Sequence, residues 1–417
     1  MKKKTYLHIK VKRNNQSIGR VYHSFAALAM KHWFFRQIAS LSILAMTVCR
    51  YIFVIMLTFS FQTPAQSQST SEWKIFRGDP ALSGTSKARI KAPLDLKWTY
   101  QTEDAIVAGP VIGNNTIFVS SIGGVVYALD LEGKLKWEYK TDNSIEAPAL
   151  YLDGIVYVGN LSGYLYALDA KTGKLIWKYE TENQIMGSAN YYYQNKKLYL
   201  VVGSYDCFLH GIDAATGKVV WKYESDNFIN GAPAIGNNMA MFGGCDGFLH
   251  MVSLDNGKVK EKLEVATYIA GSVTISDDLA FTGDYDGLFS CIDLKKPGIK
   301  WQFDNPSSNL PILASPAVND EVVVIGGQDK RIRSFDKKTG KQLWEFNAGG
   351  RIDASPIIVR NSVITVTMDG MMYMVHLNSG KEMWSYEIGS AIAHNPAVIN
   401  NSIVVGARDG NVYYFKK

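Results

Sequence analysis

Gly163-Tyr164-Leu165-Tyr166-Ala167-Leu168-Asp169-Ala170-Lys171-Thr172-Gly173-Lys174-Leu175-Ile176-Trp177 contains nearly every element of a unit that returns along the chain. Gly124-Val125-Val126-Tyr127-Ala128-Leu129-Asp130 is its nearest relative. Weaker copies surround Cys207, Gly247, Gly287, Lys330, Gly370 and Gly410, so eight equivalent positions follow one another at intervals of 39, 44, 40, 40, 43, 40 and 40 residues. A fixed period near forty marks a repeat architecture, in which each unit buries its apolar face against its neighbours.

Each unit has the same order of parts. A small-residue and proline step comes first, as in Ala314-Ser315-Pro316 or Ala354-Ser355-Pro356. A polar turn such as Asn237-Asn238 precedes a β-branched run such as Val322-Val323-Val324-Ile325. An Asp-Gly type of turn opens the Tyr-Ala-Leu-Asp strand, and a Thr-Gly type of turn leads to a last strand with a tryptophan. Asp and Asn before Gly suit the positive φ of tight hairpin turns. Four short strands per forty residues, repeated eight times without helical periodicity, predict an all-β, eight-bladed β-propeller of four-stranded antiparallel blades.

The count of strands predicts how the ring closes. The eighth copy stops at Lys417 before a fourth strand, while an unclaimed strand, residues 94–100, stands ahead of the first copy. This N-terminal strand is expected to complete the C-terminal blade. The structural tryptophans are then Trp98, Trp137, Trp177, Trp221, Trp301, Trp344 and Trp384, with Glu261 in the one remaining slot.

Residues 1–71 contain ten Lys or Arg and no acid; the remainder has 34 basic and 38 acidic residues, a net charge of −4. That balance does not suit a nucleic-acid binder, which needs a basic face. Within the leader, Arg50 is followed by an eleven-residue apolar run to Phe61 and then Pro64-Ala65-Gln66-Ser67. A basic flank, a short apolar run and small residues read as an export signal. The expected domains are a leader over 1–67 (with Met30 or Met46 as alternative starts), a lead-in over 68–92 packing on the ring's face or rim, and the propeller over 93–417. An uncleaved leader would be the one membrane contact, and the expected protein is an exported, periplasmic or envelope-associated monomer. Cys207, Cys245 and Cys291 have neither disulfide nor metal-ligand spacing and read as small buried residues.

The repeat Gly-x-Φ-Tyr-Ala-Leu-Asp-x-x-Thr-Gly-Lys-x-x-Trp resembles the PQQ-type propeller repeat over about residues 93–417, and Trp73, Phe76, Arg77, Gly78 and Asp79 resemble the opening of secreted bacterial members. The resemblance implies two functional classes. One is the quinoprotein dehydrogenases, with pyrroloquinoline quinone (PQQ) and calcium on the axis. The other is the BamB-like branch, a cofactor-free scaffold for outer-membrane protein assembly. This sequence lacks the vicinal cysteines, the haem-attachment motif and the long inter-blade insertions of many such dehydrogenases, and also a convincing lipoprotein box.

The favoured expectation is therefore a non-catalytic scaffold, without metal or cofactor, whose partners are envelope or outer-membrane proteins. A small PQQ-dependent dehydrogenase and a ligand- or glycan-binding sensor are the alternatives. The axial candidates for ligand binding are Glu146, Asn230, Asp353 and His394, with Arg351 nearby. His210 and His250 share one slot in adjacent units, so their rings are displaced by about 10 Å rather than converging on one ion. Tyr191-Tyr192-Tyr193 and the stretch 304–311 lengthen two intervals and are candidate interface loops, although the first two tyrosines fit a strand equally well.

Overall fold

The computed structural model describes residues 72–265 and 267–417. The leader, its signal and Cys49 lie outside the described residues. Eight sheets follow one another in chain order. Blade 1 shows the pattern: Val111–Gly113, Thr116–Ser120, Val125–Asp130 and Leu135–Lys140 form one antiparallel meander. Innermost and middle strands are buried, whereas the outermost strand alternates exposed and half-buried residues. That is the pattern of a sheet packed on both faces near the axis and wet at its rim.

Blade 8 is assembled from both ends of the chain. Asp95–Gln101 pairs antiparallel with Asn411–Lys416, Leu96 opposite Phe415 and Tyr100 opposite Val412. The expected closure is therefore the observed one. Blade 7 departs slightly from four strands, because Thr85–Ser86 of the lead-in adds a short parallel fifth strand beside Ile357–Val359.

The repeat residues acquire a physical reason at the joints between blades. Asp169 accepts hydrogen bonds from Thr172 through both its backbone N–H (2.8 Å) and its hydroxyl (2.7 Å), which folds the turn. Gly173 then sits at φ +72° against the Trp137 indole, where a Cβ would approach to 2.7 Å. Trp137 in turn donates its indole N–H to the carbonyl of Ala170 at 2.9 Å. Trp98, Trp177, Trp301 and Trp344 latch the turn of the next blade in the same way, on Gly133, Gly217, Gly340 and Gly380, and Trp221 packs likewise on Gly257, positions that admit only glycine. Glu261 lacks that indole, and Gly298 in the matching turn of blade 5 has no side-chain neighbour within 4 Å, so the joint between blades 4 and 5 has no latch.

The lead-in does not lie on the outer rim. It runs inside the ring along the free edges of the innermost strands, whose N–H groups point at the axis. Trp73 exchanges two backbone bonds with Ile112; Lys74, Pro80, Ala81, Ser83 and Gly84 accept in turn from Tyr151, Ile235, Ile275, Val318 and Ile358. In blade 3 the Asn190 side chain serves Tyr191 instead and reaches Pro80 with its amide at 2.7 Å. Buried backbone donors need such partners, and one strap of chain supplies them to six blades.

The three tyrosines do not form a loop. Asn190–Gln194 and Lys197–Gly203 are longer than their counterparts in other blades and pair in full register. Tyr192 is buried and relays a hydrogen bond from Trp221 to the carbonyl of Leu254. Only Tyr193 faces solvent, bonded to Asp153 at 2.9 Å. The 304–311 stretch is irregular, as expected. Of the cysteines, Cys291 is buried, while Cys207 and Cys245 are only partly so.

Candidate functional site: the axial funnel

The segment leading into the innermost strand of every blade carries an isoleucine that packs into the blade: Ile106, Ile145, Ile185, Ile229, Ile269, Ile312, Ile352 and Ile392 are all buried. Alternation along an extended chain turns the following residue toward the axis. Those residues are Val107, Glu146, Met186, Asn230, Ala270, Leu313, Asp353 and Ala393. All but Leu313, together with Arg351, Met368, His394 and Arg408, line one open chamber of about 310 Å³. The structure therefore brings all five predicted axial residues to one place.

They do not form one ring. His394 lies one residue deeper than the level of Glu146, Asn230 and Asp353, because Ala393 takes that level in blade 8. Its Nδ1 is 3.2 Å from the Asn395 Oδ1, and its ring meets Phe76 of the lead-in edge-on at 5.4 Å. Burial holds the imidazole below its ordinary range, its hydrogen bond to Asn395 opposes this, and nearby Arg77 adds to the lowering. Arg351 lies nearer solvent and pairs with Asp353 at 2.9 Å, while Gln328 donates to the other oxygen of Asp353 at 3.0 Å.

Below the chamber is a second space of about 120 Å³, walled by Gly187, Gly231, Gly271 and the serines 188, 272, 315 and 355, with Phe76 among its lining. The serines tie the blades together. Ala232 donates its N–H to Ser272 Oγ (2.8 Å), Ser272 to Ser315 (3.0 Å) and Ser315 to Ser355 (2.9 Å). Deeper still, Arg77 is fully buried and donates to the carbonyls of Pro356, at 2.5 Å, and Pro316. Burial lowers its guanidinium to about 9, which still leaves it charged at neutral pH. The lead-in thus lies beneath the lower space, and the chamber opens away from it.

Sequence reasoning missed the surroundings of the mouth. Tyr205 and Phe228 stack at 4.8 Å; Tyr268 and Tyr285 meet edge-on at 5.3 Å. Asn230 joins the two pairs, accepting from the Tyr205 hydroxyl at 2.5 Å and reaching the Tyr268 hydroxyl at 3.4 Å. Phe228 and Tyr285 remain 43% and 53% exposed. Arg408 was missed as well. Repeat alignment holds the signal: Phe228, Tyr268 and Arg351 share the slot before the isoleucine, and Tyr205, Tyr285, Met368 and Arg408 share another.

His210 and His250 lie outside this chamber's lining. Each is fully buried in its own chain: Tyr179 hydroxyl to His210 Nδ1 (3.0 Å) and His210 Nε2 to Asp206 (3.1 Å), repeated as Tyr223, His250 (2.9 Å) and Asp246 (3.1 Å). With a carboxylate at Nε2 and a tyrosine hydroxyl of the preceding blade at Nδ1, both ring nitrogens are engaged and the imidazoles act as struts between blades. Among the described residues no three His, Cys, Asp or Glu side chains cluster as metal ligands. The axial carboxylates fall short of a calcium-quinone site: calcium takes six to eight oxygens, whereas Glu146 and Asp353 sit in blades 2 and 7 and Asp353 is already engaged by Arg351 and Gln328.

Residues 132–416 match the family described as the β-propeller of beta-alanine-activating enzyme. No curated protein matches the chain. Among solved structures, BamB from Moraxella catarrhalis is 18% identical with a TM-score of 0.66, covering 78% of this chain and 100% of its own. The quinohemoprotein alcohol dehydrogenase of Comamonas testosteroni is 16% identical with a TM-score of 0.70, covering 84% of this chain and 81% of its own. The computationally designed Ika8 protein reaches 0.68 at 19% identity, covering 78% of this chain and 100% of its own. At such identities the likeness is one of fold, and a designed member makes plain that the ring alone implies no activity. Repeat, closure and family match together place this chain in the PQQ-like β-propeller family.

Proposed function

We propose that the chain is an exported, non-catalytic propeller that binds protein partners in the cell envelope, a scaffold of the BamB-like kind working as a monomer without metal or cofactor. The observation that carries this reading is the aromatic shelf at the funnel mouth, Tyr205, Phe228, Tyr268 and Tyr285, with Met368, Arg351 and Arg408 around the same opening. Aromatic residues, Met and Arg are the types enriched where proteins meet. Half-exposed rings fixed by stacking and by Asn230 lose little freedom on docking, which favours affinity. The fold's likeness to BamB and the basic, acid-free leader support export and an envelope setting.

The test is capture of partners from an envelope fraction on the immobilised chain, beside a Phe228→Ala/Tyr285→Ala variant. Envelope proteins retained by the parent and lost by the variant are expected. Equal retention by both would refute the shelf as the docking face. Turnover of alcohols or sugars with added quinone and calcium would refute the non-catalytic reading.

A further inference from the structure

The chamber holds two charges of opposite sign that have no partners among the described residues. Glu146, on blade 2, and Arg408, on blade 8, both line the 310 Å³ space. Among the described residues neither side chain makes a hydrogen bond or ion pair, in contrast to Arg351 and Asp353, which neutralise one another in the same wall. Val107 lies between the two blades' contributions, and Met186 and Met368 supply the large apolar side chains of a lining that also holds Asn230, Arg351, Asp353 and His394. The volume is at the small end of ligand pockets, about 300 to 1,000 Å³.

The floor adds a constraint. The lower space shares Met186, Asn230, Asp353 and His394 with the chamber and meets Phe76 of the lead-in. A chain threading the axis would have to displace the strap that partners six blades, so a small molecule suits the site better than a polypeptide passing through.

We propose that the axial funnel binds a free α-amino acid with an apolar side chain: its ammonium on Glu146, its carboxylate on Arg408, its side chain against Met186 and Met368. A separated, unpaired acid and base complement a zwitterion. An amine or an acid engages only one of the two groups, whereas a zwitterion engages both, which discriminates against amines and acids. Thioether walls adapt to side chains of different shape. This site shares Met368 and Arg408 with the opening invoked for partner docking, but the docking test is made at Phe228 and Tyr285, so the two readings can fail separately.

The test is calorimetric titration of the full chain with L-phenylalanine and L-leucine, beside phenethylamine, 3-phenylpropionate and a neutral disaccharide. Both amino acids are expected to bind, with the single-charge analogues at least about tenfold weaker, the scale of one charged hydrogen bond. Glu146→Gln should weaken L-phenylalanine about tenfold and leave 3-phenylpropionate unchanged; Arg408→Gln should do the converse with phenethylamine. Since neither side chain bonds to any of the described residues, both variants should melt with the parent, which separates lost binding from lost folding. No binding by either amino acid, equal binding of the disaccharide, or variants that weaken every probe alike would overturn the assignment.

Discussion

The indole of Trp98 lies against Gly133, so that a Cβ on that glycine would come within 2.7 Å of the ring. Trp98 belongs to the N-terminal strand of the last blade and Gly133 to the first blade, so this contact is where the circle closes. The indole also stacks on Tyr414 at 5.0 Å with ring planes 2° apart, and donates to the Leu131 carbonyl at 3.0 Å.

Trp98→Ala is expected to cost about 3 kcal/mol, the scale of removing a packed aromatic. Denaturant unfolding should show the midpoint falling. Gly133→Ala should be destabilising too, since the position needs φ +82° and has no room for a side chain.

The joint between blades 4 and 5 should open first. Glu261 replaces the tryptophan there, and no indole covers Gly298. Local stability follows local packing. Hydrogen exchange should therefore show less protection along Val259–Glu264 than along the matching strand Leu175–Glu180 of blade 2.

Ser315→Ala should cost about 1 to 3 kcal/mol, because the Ser272 N–H would be left buried without its acceptor. Ser188→Ala is the control: among the described residues that hydroxyl bonds only to the adjacent Ala189 carbonyl, and its loss should cost less in thermal unfolding.

Acid should weaken the fold before its carboxylates titrate. Burial holds His250 and His394 below the ordinary value of 6.5. The unfolded chain, with ordinary imidazoles, takes up protons first as pH falls through 6.5, so stability declines there. Asp206 and Asp246, held below 3.8 mainly by their histidine partners against the cost of burial, add a second loss at lower pH. Melting temperature followed from pH 7.5 to 5 should drop, and His394→Gln should flatten part of that drop.

The blade count, the closure by the Trp98 strand and the missing latch at Glu261 were legible in the sequence because each rests on a local rule repeated eight times. Turn chemistry fixes where strands end, and alternation fixes which side chain faces the axis; this is how Glu146, Asn230 and Asp353 could be named together. His394 was misplaced by one level because its blade puts Ala393 in the axial slot. Tyr191 to Tyr193 left loop and strand open, since a hairpin lengthened on both strands adds residues to the interval as a loop does.

Three features needed the tertiary structure: the strap from Trp73 to Gly84 lying along the inner edges, the serine girdle, and the opposed charges of Glu146 and Arg408. All three join residues from different blades or distant parts of the chain. No local pattern encodes such contacts, because they arise only when eight independently specified sheets are bent into one circle. The sequence determined the blades by itself; the closed ring decided what faces what across the axis.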